Sequence, residues 1–586
     1  MSSRRFDSSF SRNQHPPSQW SSSSSSARNQ TRLFVRLVVL AVVLVLVVQI
    51  YIFARVSHLS VPLTQQTAQP AQSALNPTST RGVLKHLQKE ENKLKMKDLE
   101  RFSTLHSNDN FLKDEVDPAL AAEILKAVNE CMASGGSKLS LVNLGLISLS
   151  PAIMDQILQF ADTLELLNLG GNSLSVLPSN FSKLRKLRIL FFADNSFESI
   201  PQIIGQLPSL FMLSFKSNRL HTIAPDSIPN TVEWLILTDN NLSQLPHTMG
   251  NLTKLRKLML AGNQLSSLPE SMRKCTALEL IRLSSNKLIE LPNWLLKDLP
   301  NLTWVAAGGN PVLPAPSTRS DSAVPRIPPN ELMVEKLIGE GASGFVYKAQ
   351  WNHRDVAIKV FKGNMTSDGL PADELKSTLL LAEYVTEHAT QTDQYPITPI
   401  LGLLEKGGIL GGGVSMPAGG LVMELVPPSF QLLGGPPTFA TITRDTFDSS
   451  PFKLEPSVAC AIARQVTHAV MEIHAANLTH GDLYAHNLLV RESNNEISVR
   501  LCDMGAATYV GHSSELAQSL QAFELRALGK LLDDIIVYLV KDIDQHHLQK
   551  LEQAKQHLLQ SAIFIQQDKP GTTTQAMIQV LEILKD

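Results

Sequence analysis

Seven asparagines, Asn172, Asn195, Asn218, Asn240, Asn263, Asn286 and Asn310, recur at intervals of 23, 23, 22, 23, 23 and 24 residues. Each sits in a segment of the form Leu-x-x-Leu-x-Leu-x-x-Asn-x-Leu or a close variant. A degenerate copy, LSLVNLGLISL at Leu139–Leu149, precedes them with Ile147 in the Asn place. Most copies carry Leu-Pro or Ile-Pro shortly after the Asn, at Pro178, Pro201, Pro246, Pro269 and Pro292. A unit this short cannot bury its own leucines, so neighbouring copies must stack and share one core. A buried Asn can then satisfy the backbone groups left over where the chain turns between copies. Few sequence patterns restrict a fold more: residues 119–312 must form a solenoid. Its exposed first turn needs a cover, and the helical stretch ALAAEILKAVNECM at about 119–133 suits that task.

The period and pattern resemble the leucine-rich-repeat family. That resemblance implies a short strand per repeat and a concave face built from the strands. Phe192, Lys216, Trp234, Arg282 and Trp304 are expected to be exposed on this face. A mixed, partly aromatic surface suits a protein ligand or substrate; the plain alternative is a rigid spacer. Nucleic acid is not an expected partner, because 52 Lys+Arg against 54 Asp+Glu leaves a net charge of −2. Four widely separated cysteines (Cys131, Cys275, Cys460, Cys502), without a CxxC, exclude a disulfide scaffold or zinc ribbon and read as buried free thiols.

After a Pro/Ser-rich linker at 313–330 comes LIGEGASGFVYKAQW. Gly339, Gly341 and Gly344 form G-x-G-x-x-G, with Val346 two positions on, a loop whose backbone can approach phosphates closely. Val356-Ala-Ile-Lys359 then reads as a buried strand ending in a cation placed to hold phosphates. Glu374, fifteen residues further on a predicted helix, can pair with that Lys, with Glu383 as the fallback. The next cluster is His480-Gly-Asp-Leu-Tyr-Ala-His-Asn487, followed by Leu-Cys-Asp503-Met-Gly505.

In this order and at this spacing, the elements of 331–586 resemble the protein-kinase family. The resemblance assigns Asp482 as base or orienter of the attacking hydroxyl, and Asn487 and Asp503 as Mg²⁺ ligands. It places ATP against Gly339, Gly341, Gly344, Val346, Ala357 and Lys359, with Glu424 and Val426 in a hinge at Met423–Val426. Lys359, Glu374, Asp482 and Asn487 form the catalytic set. The implied enzyme is an ATP- and Mg²⁺-dependent protein kinase, acting on Ser or Thr.

Several features depart from that family. Gly481 replaces the Arg of His-Arg-Asp, and Tyr484 stands where serine/threonine kinases usually have Lys. Asp503 and Glu524, the latter in the helix ELRALGKLL, are only twenty-one positions apart, so the activation segment and peptide platform are short. The arrangement is most similar to bacterial-type leucine-rich-repeat protein kinases, on the stretches Thr366–Pro371 with Glu374, Thr443–Asp445 and HGDLYAHN. Arg444 is either structural or substrate-facing. The glycine-rich 407–420 reads as a flexible loop between two strands, and His474 and His486 read as packing residues. Two other functions stay open: a pseudokinase scaffold, and a kinase for a small molecule or glycan.

The front of the chain is different in character. Residues 1–36 are Ser/Arg-rich and too polar to order. Residues 37–54, LVVLAVVLVLVVQIYIFA, carry no charge over eighteen positions and predict a transmembrane helix; 55–118 reads as a spacer with a charged helix. The chain is therefore expected to be a single-pass membrane protein whose span precedes both other parts. Arginines before the span place the remainder outside the cytosol. The need for ATP, and cysteines without plausible pairs, place it inside; an organelle-import leader is the further alternative. The fold class expected is multidomain: an α/β solenoid followed by a two-lobed α+β kinase-like domain, behind one transmembrane helix and a disordered N-terminus.

Overall fold

The computed structural model describes residues 116–585, apart from 316–323, 389–395 and the loop positions 342–343, 364, 405, 412, 417–418, 494–495, 513, 542–543, 568 and 570. Among the described residues no helix is long and apolar enough to cross a membrane, which overturns the expectation of a single-pass membrane protein. The span expected at 37–54, the disordered segment before it and most of the charged spacer lie outside the described residues.

Helix α1 (Pro118–Ala133) starts at the Asp117 side chain, which accepts hydrogen bonds from the Ala119 and Leu120 amides. Its Ala121, Ile124, Val128 and Cys131 face the solenoid core and close its first turn. Eight three-residue strands follow, from β1 (Lys138–Ser140) to β8 (Trp304–Ala306), hydrogen-bonded in sequence order as one parallel sheet. The first turn has a helix, α2 (Pro151–Leu158), on its convex side; later turns have 3₁₀ segments such as Ser179–Lys183 and His247–Asn251. The asparagines bind backbone on both sides of each turn. Asn195 Nδ2 donates to Leu169 O at 2.9 Å and Phe192 O at 3.2 Å, and its Oδ1 accepts from Leu174 N at 2.9 Å. Asn218, Asn240, Asn263 and Asn286 repeat this arrangement. Four phenylalanines, Phe181, Phe192, Phe197 and Phe215, stack through the middle of the core, Phe192 and Phe215 at 5.0 Å.

Phe192 was expected on the concave face but lies in this core, fully buried; Phe191, one position earlier, is the outward residue of β3 (Ile189–Phe191). The side-chain period of a strand is two, so a slip of one residue exchanges the faces.

The second half begins with a five-stranded antiparallel sheet ordered β12-β15-β11-β10-β9. Its members are β9 (Leu332–Glu340), β10 (Gly344–Trp351), β11 (Arg354–Phe361), β12 (Ile400–Leu404) and β15 (Gly420–Glu424), with helix α3 (Pro371–His388) between β11 and β12. The glycine-rich 407–420 is not simply a loop. It forms a hairpin of β13 (Gly408–Leu410) and β14 (Val414–Met416), and its Leu410 and Met416 are buried in the sheet core. The helical lobe follows: α4 (Pro456–Ala475), α5 (Glu515–Asp534), α6 (Gln545–Gln566) and α7 (Thr573–Ile583), with a hairpin of β18 (Leu488–Ser493) and β19 (Glu496–Leu501).

The described residues belong to one compact unit, and the solenoid is fused to the helical lobe through shared cores. Leu520 and Phe523 of α5 belong to the core of the repeats. Met259, Leu280 and Trp304, from the concave side of β6 (Lys257–Met259), β7 (Leu280–Arg282) and β8, belong to the core of the helical lobe. The concave face is therefore not free along its length. Arg282 and Trp304, expected to be exposed, are buried against the chain's own second half, and Trp234 packs on Phe439 of that half with ring centroids 6.3 Å apart; Lys216 stays partly open. Among the described residues Cys131, Cys275 and Cys460 are buried and form no disulfide; Cys502 is half-buried.

Candidate active site

Strand β11 alternates faces so that Lys359 points away from the sheet core. Its Nζ lies 2.6 Å from Glu374 Oε1 on α3 and 2.8 Å from Asp503 Oδ1 in the loop after β19. Glu374, not Glu383, is thus the helix carboxylate at the lysine. Burial alone would drive the Lys359 ammonium towards neutrality, but Asp503 and Glu374 outweigh it and hold the charge. Burial pushes the Glu374 carboxyl up to about 7 against the pull of Lys359. Burial also disfavours the Asp503 charge, yet Lys359 prevails and keeps that carboxyl below its usual range. Asp503 is held at φ 66°, and its Oδ1 also accepts from Gly505 N at 3.1 Å.

These groups border a cavity of about 660 Å³ lined by Val346, Lys359, Glu374, Glu424, Asn487 and Asp503, among others. The volume is in the range of small-molecule sites. Of the other residues expected at a nucleotide, Val426 lies on a smaller neighbouring cavity of about 220 Å³. Gly339, Gly344 and Ala357 stand on β9, β10 and β11, Gly341 follows the end of β9, and none of them lines the larger cavity. Gly344 is required by packing, since a Cβ there would come within 2.4 Å of Val360 O; Gly341 faces open space.

Across the cavity floor, Asn487 Nδ2 donates to Asp482 O at 2.8 Å and Asp482 Oδ2 at 3.0 Å. With its amide hydrogens used, Asn487 can offer only Oδ1 outward, an oxygen suited to a hard cation. The catalytic-loop backbone is clamped from below by Glu524 on α5, whose two oxygens each accept at 2.8 Å, from His480 N and Gly481 N. His480 Nε2 faces Cys502 O at 3.2 Å, and its Nδ1 accepts from Asp482 N at 3.2 Å, which leaves Nε2 as the donor to that carbonyl.

Gly481 has a local reason to be glycine. Its φ is +74°, and a Cβ would lie 2.5 Å from Ala506 O, so an arginine cannot stand there. A guanidinium nevertheless reaches this place from the solenoid. Arg282 donates to Gly481 O at 3.0 Å, to Asp482 Oδ1 and, at 2.6 Å, to Asp368 Oδ1. Tyr484 is buried and stacks on Trp304 at 4.4 Å, while Trp304 Nε1 donates to Leu483 O at 3.2 Å.

Beyond the two roles open for Arg444, the sequence ties Thr366–Pro371 and Thr443–Asp445 to no function. Both are docking segments. Besides Asp368, the first offers Leu370 N to Ser285 Oγ at 3.3 Å, just where α3 begins. In the second, Thr443 binds Glu279 of the solenoid, Arg444 binds Asp534 at the end of α5, and Asp445 binds His486 Nδ1 at 2.7 Å. Arg444 is thus structural, and His486 is a packed, carboxylate-bound residue. Arg282 was noticed only as a surface position, and Glu524 only as part of a helix; nothing local in the sequence marks either as a partner of the loop.

Comparison with known proteins agrees with this geometry. Residues 230–288 and 163–184 match leucine-rich-repeat families, and residues 332–525 match the protein tyrosine and serine/threonine kinase family. A protein described as a "probable serine/threonine-protein kinase" of Dictyostelium discoideum is 24% identical over 189 residues, 32% of this chain and 12% of that relative. The chain therefore spans only a small part of that relative's length. A leucine-rich-repeat protein of Leptospira interrogans overlays 29% of this chain and 60% of its own, at 25% identity and a TM-score of 0.24, which adds nothing to the fold described above. The chain carries leucine-rich repeats followed by a protein-kinase domain.

Proposed function

We propose that the chain is an active protein kinase that transfers the γ-phosphate of Mg·ATP to a serine or threonine hydroxyl. The observation that carries this reading is the bridge from Lys359 to both Glu374 and Asp503 at the edge of a nucleotide-sized cavity. When bound, Mg·ATP would supply the phosphoryl group and the metal that neutralises its charge. The residues fit it. Asn487 Oδ1 and the Asp503 carboxylate are the two oxygens the chain would give a Mg²⁺ that takes its other ligands from phosphate and water. Glu374 adds a buried oxygen, Oε2, without a hydrogen-bond partner, a polar atom facing the site that a bound group can satisfy.

Lys359 would hold phosphate oxygens as a fixed cation, and Glu374 would keep it in place. Asp482 would accept the proton of the acceptor hydroxyl, its carboxylate oriented by Asn487. A scaffold without catalysis needs none of these groups in register, which disfavours the pseudokinase alternative. One observation favours a small acceptor over a folded protein. Trp304 and Arg282 cover the catalytic loop on the side where a peptide platform would be, and Asp482 keeps only 23% of its side chain exposed. The repeats would recruit a protein through the part of the concave face that stays open, around Lys216.

The test is phosphate transfer by the purified chain from Mg·[γ-³²P]ATP to dephosphorylated casein, beside Asp503→Asn. Transfer by the wild type and its loss in the variant supports the proposal. Nucleotide binding without transfer to casein or to itself overturns it and leaves a small acceptor or a scaffold.

A further inference from the structure

We infer that Arg282 is a positioning residue of the transfer reaction, a staple by which the solenoid holds helix α3 and the catalytic loop in register. The inference rests on the kinase reading above.

Its guanidinium is 2% exposed and uses all three nitrogens. Nη2 and Nη1 hold the Asp482 carboxylate and the carbonyl of Gly481 beside it, in the helical lobe. Nε holds Asp368, three residues before Pro371 opens α3 in the sheet lobe. The same solenoid turn supports that helix start twice more, because Ser285 Oγ accepts from Leu370 N and donates to Asp373 Oδ2 at 3.4 Å. Helix α3 carries Glu374, and Glu374 holds Lys359. One side chain of the repeats is thus bonded directly to the proposed base and, through a short turn, to the helix that sets the lysine.

Asp482 is fixed at both oxygens, by Arg282 on Oδ1 and Asn487 on Oδ2, so its carboxylate cannot rotate freely. The planar guanidinium is suited to this, since its donors diverge at fixed angles and an ammonium's do not. A merely adhesive contact would not need it. Taking a charge out of water is unfavourable, and the surrounding contact is already made by Met259, Leu280 and Trp304. The arginine that the catalytic loop cannot carry at Gly481 is supplied from the repeats.

The experiment compares the full chain with Arg282→Met, Arg282→Lys and Asp368→Asn, reading kcat with ATP and dephosphorylated casein alongside the ATP dissociation constant. Loss of positioning in Arg282→Met should lower kcat roughly 10- to 100-fold, while ATP affinity should fall by a smaller factor, since Arg282 reaches the cavity only indirectly, through α3 and Glu374. Arg282→Lys should recover part of the loss. Asp368→Asn, which keeps the Asp482 contact, should lower kcat by a smaller factor. A folded Arg282→Met variant with unchanged kcat would make the contact purely structural, and raised kcat would make it a restraint on activity; either overturns the inference. Should Arg282→Met fail to fold, Asp368→Asn decides, and unchanged kcat there overturns it. A wild-type chain that transfers no phosphate refutes the kinase reading itself, and the inference falls with it.

Discussion

Two buried cations in this molecule do the same thing on paper. Lys359 joins Glu374 of the sheet lobe to Asp503 of the helical lobe, and Arg282 joins Asp368 of the sheet lobe to Asp482 of the helical lobe. They differ in closure. Asp503 is 44% exposed and borders the cavity, so the lysine cluster is open on one side. The arginine cluster is shut, with all three guanidinium nitrogens engaged. A lysine is a point charge that can trade one oxygen partner for another, whereas an arginine's fork commits to a geometry. The same pairing rule therefore yields a site suited to exchanging ligands in one place and a fixed strut in the other.

Removing the exchanging cation should have the largest effect. Lys359→Met is expected to lower transfer about a thousandfold, as loss of a preorganised charge at the reacting group does; activity within tenfold of wild type would show that the two clusters are equally structural. Next comes the packing around the strut. Trp304→Ala removes a stacked, buried indole and should cost about 3–4 kcal/mol, read by denaturant unfolding. Because the two halves share cores, the loss should appear in both the solenoid and helical-lobe signals. A change confined to one would separate them.

Glu524→Gln probes a carboxylate that orders the loop without a cation between them. An amide oxygen can accept from only one side of the clamp, so one of the His480 and Gly481 N–H groups loses its partner, at about 2 kcal/mol; an unchanged midpoint would refute the clamp. The smallest effect belongs to Lys257, one strand from Arg282, where burial pushes the ammonium down to about 8. An unfolded lysine near 10.5 binds its proton more tightly, so the folded state bears a cost that is full below about pH 8 and vanishes above about pH 10.5. Lys257→Met should therefore stabilise the chain at pH 7 by about 1–2 kcal/mol, tempered because the ammonium lies over the Trp234 ring. Destabilisation at pH 7 would mean that Lys257 is a second strut.

What could be read in the sequence follows from distance along the chain. The Asn ladder is legible because the Asn side chains reach backbone of the preceding turn, 21 and 26 residues back for Asn195, and the period repeats that relation. Lys359, Glu374, Asn487 and Asp503 each sit in a short motif whose residues share one job. Arg282 has no such context: its partners stand 86 and 200 positions away, in a part of the chain with a different pattern. The departure at Gly481 is visible as a letter, but its cause is a φ of +74° and a carbonyl at 2.5 Å from a Cβ that only the fold brings there. Phe192 shows a finer limit. The solenoid core was legible, yet assigning a face requires register to one residue, and the Leu template in that repeat carries Phe on both sides of the step.

The covered end of the solenoid also limits how this chain can change length. Successive strands advance by about 4.8 Å, so the repeats behave as a ruler whose zero is the contact between β8 and the catalytic loop. Copies added or lost before β3 leave that zero, and the contact of Phe191 with Phe439, untouched. A copy inserted between β7 and β8 would carry Arg282 about 4.8 Å away from Asp482 while Trp304 stayed on Tyr484. Length is free to drift at the amino end and frozen at the other, and transfer activity of chains with one repeat inserted at either place would measure the difference.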